Sequence, residues 1–135
     1  MEADRNKSQV RSLFEATARG EWRPFADALA DDVRYVLMGH NSWSRTYDGK
    51  HAATRELWIP LTKLFTAPNR MRARRLVAEG DLVVVEAKGD ATTHAGAHYA
   101  NDYCMLLRLR DGKIVEVTEY MDTELTTNVL GERTL

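Results

Sequence analysis

Glu119 is the acid in this sequence that most needs a reason for its position. It lies in residues 113–121, Lys-Ile-Val-Glu-Val-Thr-Glu-Tyr-Met, behind the turn dipeptide Asp111-Gly112. A run this rich in β-branched and aromatic residues forms a half-buried strand. On the buried face of that strand a carboxylate is costly unless it is paired or functional. Desolvation there would raise its pKa and make it a proton carrier near neutral pH. Alternation alone leaves the face of Glu119 open, and a satisfied polar network that fixes the core is the structural alternative.

Other side chains could cooperate with such an acid. Tyr35, Asn101 and Tyr103 fall in predicted strands and could donate hydrogen bonds to an oxyanion as an enolate forms, although Tyr103 reads more as a pocket wall. His40 follows the first strand with Trp43 close behind; it could titrate and assist, or be an ordinary loop histidine. His94 and His98 would make a metal pair on a helix, but they flank Gly96 in a predicted hairpin, where that spacing carries no metal geometry. There is no His-Glu-x-x-His, no cysteine cluster, no glycine-rich phosphate loop and no Gly-x-Ser-x-Gly elbow, so neither a metal nor a cofactor is expected. Arg70, Arg72, Arg74 and Arg75 lack the interleaved aromatics and net basic charge of a nucleic-acid surface. They read as a solvated strand face or a dimer contact.

The elements that must position these groups follow from periodicity. Residues 4–19 predict a helix, with Val10, Leu13, Phe14 and Thr17 at helical spacing and Gly20 as the stop. Residues 22–30 predict a short helix with Pro24 in its first turn. Residues 33–38 alternate as a strand, with Val33, Tyr35 and Leu37 on one face. Residues 39–49 read as a loop whose Trp43 and Tyr47 are large enough to cover something. A helix is expected over residues 50–65, kinked or interrupted by Pro60. Four strands then follow, at about 71–79, 82–93, 97–110 and 113–121, with no further long helix. The third places Tyr99, Asn101, Tyr103, Met105, Leu107 and Leu109 on one face. Helices first and hairpin-linked strands after indicate an α+β fold with a mostly antiparallel sheet, curved around the N-terminal helices to enclose a conical pocket.

Bulk properties narrow the function classes. The chain has 135 residues, 44% hydrophobic and 29% charged, which suits one domain, residues 1–135, with a single core. The net charge is −1, so no global field favours nucleic acid or an anionic membrane. The charged N-terminus lacks a signal-peptide core, and no apolar run is long enough to cross a bilayer. A lone cysteine, Cys104, fits a reducing, cytoplasmic setting.

The element order resembles the nuclear-transport-factor-2-like cone fold, and within it the SnoaL-like polyketide cyclases and the wider ketosteroid-isomerase-like proteins. The segments that carry the resemblance are Ala30-Asp31-Asp32-Val33, Tyr47-Asp48-Gly49-Lys50 and the stretch from Arg110 to Asp122. In SnoaL-like cyclases and limonene epoxide hydrolases the last strand ends in a basic residue, an acid, an aromatic, a spacer and a second acid, the first acid pointing into the cone. Here the window is Thr118-Glu119-Tyr120-Met121-Asp122, so the resemblance turns Glu119 inward. Alternation then sends Val115, Val117 and Met121 the same way, and Glu116 and Asp122 outward. Thr118 replaces the basic residue. Ala87, Lys88 and Gly89 stand where the epoxide hydrolases carry Arg-x-Asp, which argues against that chemistry.

The resulting expectation is an apolar cup for a small apolar or aromatic ligand. Its walls are Leu13, Phe14, Leu37, Trp43, Trp58, Leu61, Phe65, Tyr103, Met105, Val117 and Met121; its polar groups are Glu119, Tyr35, Asn101 and His40. The activity implied is cofactor-independent acid/base chemistry next to a carbonyl: isomerisation, cyclisation or dehydration. A non-catalytic ligand-binding or dimerisation module of the same fold is the alternative. Ala100, Cys104 and Leu106, with Val84, give the outer sheet face an apolar character, and the resemblance implies a homodimer through it.

Overall fold

In a computed structural model, residues 1–134 are described. The chain runs α1 (Glu2–Ala18), α2 (Arg23–Ala28), β1 (Leu29–Leu37), β2 (Arg45–Asp48), α3 (Lys50–Ala52), a π-helical segment (Ala53–Trp58), α4 (Ile59–Thr62), β3 (Arg72–Glu79), β4 (Leu82–Lys88), β5 (Ala91–Thr92), β6 (His98–Tyr99), β7 (Asp102–Arg110), β8 (Lys113–Met121) and α5 (Thr123–Leu130). Val10, Leu13, Phe14 and Thr17 form the buried stripe of α1. The helix stops because Gly20 takes φ +81°, a conformation glycine adopts without steric cost.

Six strands form one sheet in the order β2-β1-β8-β7-β4-β3. Only β1 and β8 pair in parallel; the other neighbours are antiparallel. β5 and β6 make a separate hairpin. The sheet curls around α1, α2 and the helical segment 50–62, as the α+β cone expected from the sequence. Its inner face supplies most of the core: Val33, Tyr35 and Leu37 from β1, Val83, Val85 and Ala87 from β4, and the alternate residues of β7 from Tyr103 to Leu109. No described helix is long and apolar enough to cross a membrane.

Several expectations are revised. Residues 39–49 contain β2, which pairs Tyr47 with Tyr35 across β1; Trp43 and Tyr47 are both buried. The helix expected over 50–65 ends at Thr62, and its middle widens into π geometry just before Pro60. Strand 82–93 breaks after Lys88, where Gly89 approaches its surroundings so closely that a Cβ would sit 3.0 Å from both the Asn69 and Tyr103 side chains. Strand 97–110 is interrupted between β6 and β7. A bulge in β8 pairs Arg108 with Glu116 but Leu109 with Ile114, so Val115 is an extra residue. Ile114, not Val115, is therefore the buried one.

The sequence reading also missed α5. Asp122, expected as an outward acid at a strand end, is its N-cap: its carboxylate accepts from the Leu125 N–H at 3.1 Å.

Candidate active site

β8 lies between β1 and β7, and this places Glu119 at the centre of the curved inner face. Its cross-strand neighbours are Leu37 on β1 and Met105 on β7. Tyr35 and Tyr103, two residues further along those strands, reach toward it from either side. Glu119 is 8% exposed. Its Oε1 accepts a hydrogen bond from the Tyr35 hydroxyl at 2.9 Å, and among the described residues it has no cationic partner. Burial raises its pKa from the ordinary 4.5 to about 7, with the Tyr35 hydrogen bond pulling the other way. Burial and the neighbouring Glu119 charge hold Tyr35 well above its usual range, so it stays protonated.

Glu119 opens onto a cavity of about 270 Å³. Trp22, Tyr35, Leu57, Trp58, Leu61, Phe65, Met71 and Tyr103 form its apolar and aromatic walls, with Asn69 and Thr62 as polar additions. Trp58 packs edge-on against Tyr35 and Trp22 and at a tilt against Phe25. A smaller recess of about 40 Å³ shares Leu61, Phe65, Asn69, Tyr103 and Glu119 with it and continues to Leu37, Trp43, Tyr99, Met121, Thr126 and Leu130. Neither lining contains Arg, Lys or His.

Tyr103 and Asn69 make a second polar pair in the cavity wall. The Asn69 side chain is oriented by its carbonyl, which accepts from the Asp90 N–H at 2.9 Å. Its amide then faces the Tyr103 hydroxyl at 3.5 Å, and the Tyr99 hydroxyl is a second hydrogen-bonding neighbour of that phenol. Burial foremost, then the Tyr99 and Glu119 charges, push the Tyr103 phenol well above its ordinary pKa. It is a neutral donor with a proton to give.

The expected site residues divide. Glu119, Tyr35, Leu37, Trp43, Trp58, Leu61, Phe65, Tyr103 and Met121 line one or both cavities. Phe14, Met105 and Val117 are buried but lie behind the lining; Phe14 packs edge-on against Phe25. Asn101 is fully buried, yet its amide is already occupied. Its nitrogen donates to the Tyr99 hydroxyl (2.9 Å), the Asp122 carbonyl (3.0 Å) and Thr126 Oγ1 (3.1 Å), and its oxygen accepts from the Asp102 and Asp122 N–H groups (2.7 and 3.1 Å). That leaves nothing for an oxyanion. His40 is exposed on the loop after β1 and lines neither cavity.

The reading from sequence missed Trp22, Asn69 and Met71, which come from connections between elements. The Trp22 indole N–H donates to the Asn69 carbonyl at 2.7 Å. No local periodicity marks such residues. His98 is spent on Asp90 at 2.8 Å.

The sequence profile of the SnoaL-like domain family matches residues 10–117. No curated protein matches the sequence. Among solved structures, a candidate SnoaL-like polyketide cyclase from Jannaschia sp. CCS1 superposes with a TM-score of 0.79 at 18% identity, over 96% of this chain and 94% of that one. A candidate isomerase from Bacillus subtilis gives 0.79 at 15% identity, over 99% and 100%. TerC, crystallised with polyporic acid, gives 0.76 at 20% identity, over 93% and 97%.

Proposed function

The chain belongs to the SnoaL-like domain family, and from that membership we propose that its one domain, residues 1–135, is an enzyme. It moves a proton next to a carbonyl in an uncharged, mostly apolar ring compound, without a cofactor. One observation carries this reading: Glu119 is a buried carboxylate without a cationic partner among the described residues, open to an aromatic cavity, and poised near pH 7. A general base works best when its pKa lies near the operating pH.

In this mechanism ionised Glu119 takes the proton from the carbon α to the substrate carbonyl. The electron pair of the C–H bond moves into the enolate, whose oxygen receives the Tyr103 O–H, with Asn69 behind it. Protonated Glu119 then returns the proton to another carbon, which isomerises the substrate. Alternatively the enolate carbon attacks a second carbonyl and closes a ring, and Glu119 protonates the resulting alkoxide. Tyr35 holds the carboxylate in place. The linings carry no cation to neutralise an anionic substrate, which supports an uncharged one. TerC, co-crystallised with polyporic acid, supports a small organic ligand here. We also place the protein in the cytoplasm, in keeping with its lone cysteine, as a homodimer joined through the outer sheet face.

Solvent-deuterium exchange tests this without knowledge of the natural substrate. A panel of cyclic ketones is incubated in D₂O and exchange at the α-carbon is followed by NMR. Wild type should accelerate exchange for at least one member, and Glu119→Gln should lower that rate by roughly 10²–10⁴-fold while still binding the ketone. Unchanged exchange in the variant removes Glu119 as the base. Binding without exchange in wild type moves the protein to the ligand-binding members of the fold.

A further inference from the structure

Arg133 lies beyond the residues that the family profile matches, yet its side chain is only 4% exposed. Four contacts hold residues 131–133 against the cone. The Trp43 indole N–H donates to the Gly131 carbonyl at 3.0 Å, and the Arg133 backbone N–H donates to Ser42 Oγ at 2.6 Å. The guanidinium stands 5.8 Å over the Tyr47 ring. Its Nε donates to the Glu56 carbonyl at 2.9 Å.

The last contact has a specific cause. Glu56 is four residues before Pro60, and proline has no N–H with which to close the helical hydrogen bond onto that carbonyl. The Ile59 N–H reaches back five residues to the Thr54 carbonyl, so Pro60 withholds its donor where the π register gives way to the α-helix of residues 59–62, and the C-terminal tail brings a donor to the Glu56 carbonyl there. The arrangement is not free of cost: among the described residues the buried Arg133 Nη2 has no hydrogen-bond partner, and the Glu56 carboxylate is 3.9 Å away.

What stands on this contact is part of the site. Leu57 and Trp58 follow Glu56 directly, Leu61 follows Pro60, and all three line the cavity. Tyr47, under the guanidinium, is paired across the ladder with Tyr35, which holds Glu119. We propose that Arg133 is a positioning residue: the C-terminal tail replaces the hydrogen bond that Pro60 removes, fixes Trp58 and Leu61 in the wall, and so helps to determine which ligand fits. This rests on the reading of the cone as the ligand site.

A double-mutant cycle tests it, because Pro60→Ala restores an N–H at position 60. Binding of 2-naphthol, an uncharged planar probe, is followed by its fluorescence in wild type, Arg133→Ala, Pro60→Ala and the double variant. Arg133→Ala should weaken binding by roughly tenfold in the wild-type background and by less than about threefold in the Pro60→Ala background. Equal losses in both overturn the proposal. The pH midpoint of α-carbon exchange should stay near 7 in Arg133→Ala; a shifted midpoint with unchanged naphthol binding would assign Arg133 to the electrostatics of Glu119 instead. Naphthol binding needs no turnover, so it reports on the wall even where the proposed chemistry fails. The same cycle read in thermal midpoint and in tryptophan near-UV circular dichroism decides the matter if naphthol does not bind: non-additivity supports the latch, and additivity overturns it.

Discussion

Burial takes hydration from Glu119, and the Tyr35 hydroxyl returns one hydrogen bond. The first effect is larger, so the carboxyl pKa rises from 4.5 to about 7. The folded state therefore holds this proton more tightly than the unfolded chain does. The contribution of Glu119 to stability is greatest below pH 4.5, declines as pH rises from there to about 7, and is lowest above it. That span corresponds to roughly 3 kcal/mol. Chemical denaturation at pH 5 and pH 8 should show wild type losing more stability than Glu119→Gln over this interval, by about 2–3 kcal/mol. Parallel losses would mean that Glu119 does not titrate in the fold. Tyr35→Phe gives the complementary result. Its hydroxyl favours the ionised acid, so removing it should move the exchange midpoint upward, by roughly one to two pH units. A downward move would contradict the assigned hydrogen bond. Much of this was legible in the sequence. The family window turned Glu119 inward, and alternation turned Tyr35 and Tyr103 with it. The Glu119–Tyr35 bond was not legible, because it depends on the parallel pairing of β1 with β8, strands 84 residues apart at the bonded pair. Asn101 shows the opposite limit: it is buried, but it sits between β6 and β7 and its partners Asp122 and Thr126 belong to a helix the sequence did not announce.

That helix, α5, explains several differences at the scale of elements. Its sequence, Thr-Glu-Leu-Thr-Thr-Asn-Val-Leu, has weak helix formers and too few turns to show an apolar stripe. Tertiary contacts stabilise it instead. Asp122 caps its first turn, and Thr126 joins Asn101 and Tyr99 in a buried network. Asp122→Ala should cost about 1 kcal/mol, and the loss should appear as faster amide exchange across residues 123–130 with β7 and β8 unchanged. Uniform loss of protection would mean the cap is not local. The helix expected over 50–65, with its interruption at Pro60, ends at Thr62 and differs in detail for another reason. Pro60 announced an interruption, but the response is a π-helical segment whose Glu56 carbonyl meets Arg133, 77 positions away in the chain. Local signals set where the helix is disturbed; distant contacts set how.

At the scale of the molecule, the sheet face turned away from the cone carries a pattern that only the assembled register makes visible. Val77, Val84, Leu106, Thr118 and Val36 stand in line across β3, β4, β7, β8 and β1. Val77 is 57% exposed, and the other four are half-buried. On one side runs the row Arg75, Glu86, Cys104 and Tyr120; on the other run Leu82, Arg108, Glu116 and Arg34. Each rim carries charges of both signs, with Arg75 on Glu86 at 2.6 Å and Arg108 on Asp81 at 2.6 Å. An apolar belt between polar rims has the anatomy of an interface. A two-fold rotation that laid the belt of one copy on that of another would bring together rims of mixed sign. This is the basis for the proposed homodimer. Sedimentation at micromolar concentration should give a dimer, and Leu106→Glu, which buries a charge at the centre of the belt, should weaken it by at least roughly a hundredfold. Leu106 lines neither cavity, so the monomeric variant should bind 2-naphthol as wild type does. A wild type that sediments as a monomer sinks the dimer alone. A dimer whose disruption also abolishes naphthol binding would instead show that the outer face supports the cone, and that the two sides of the sheet are not independent.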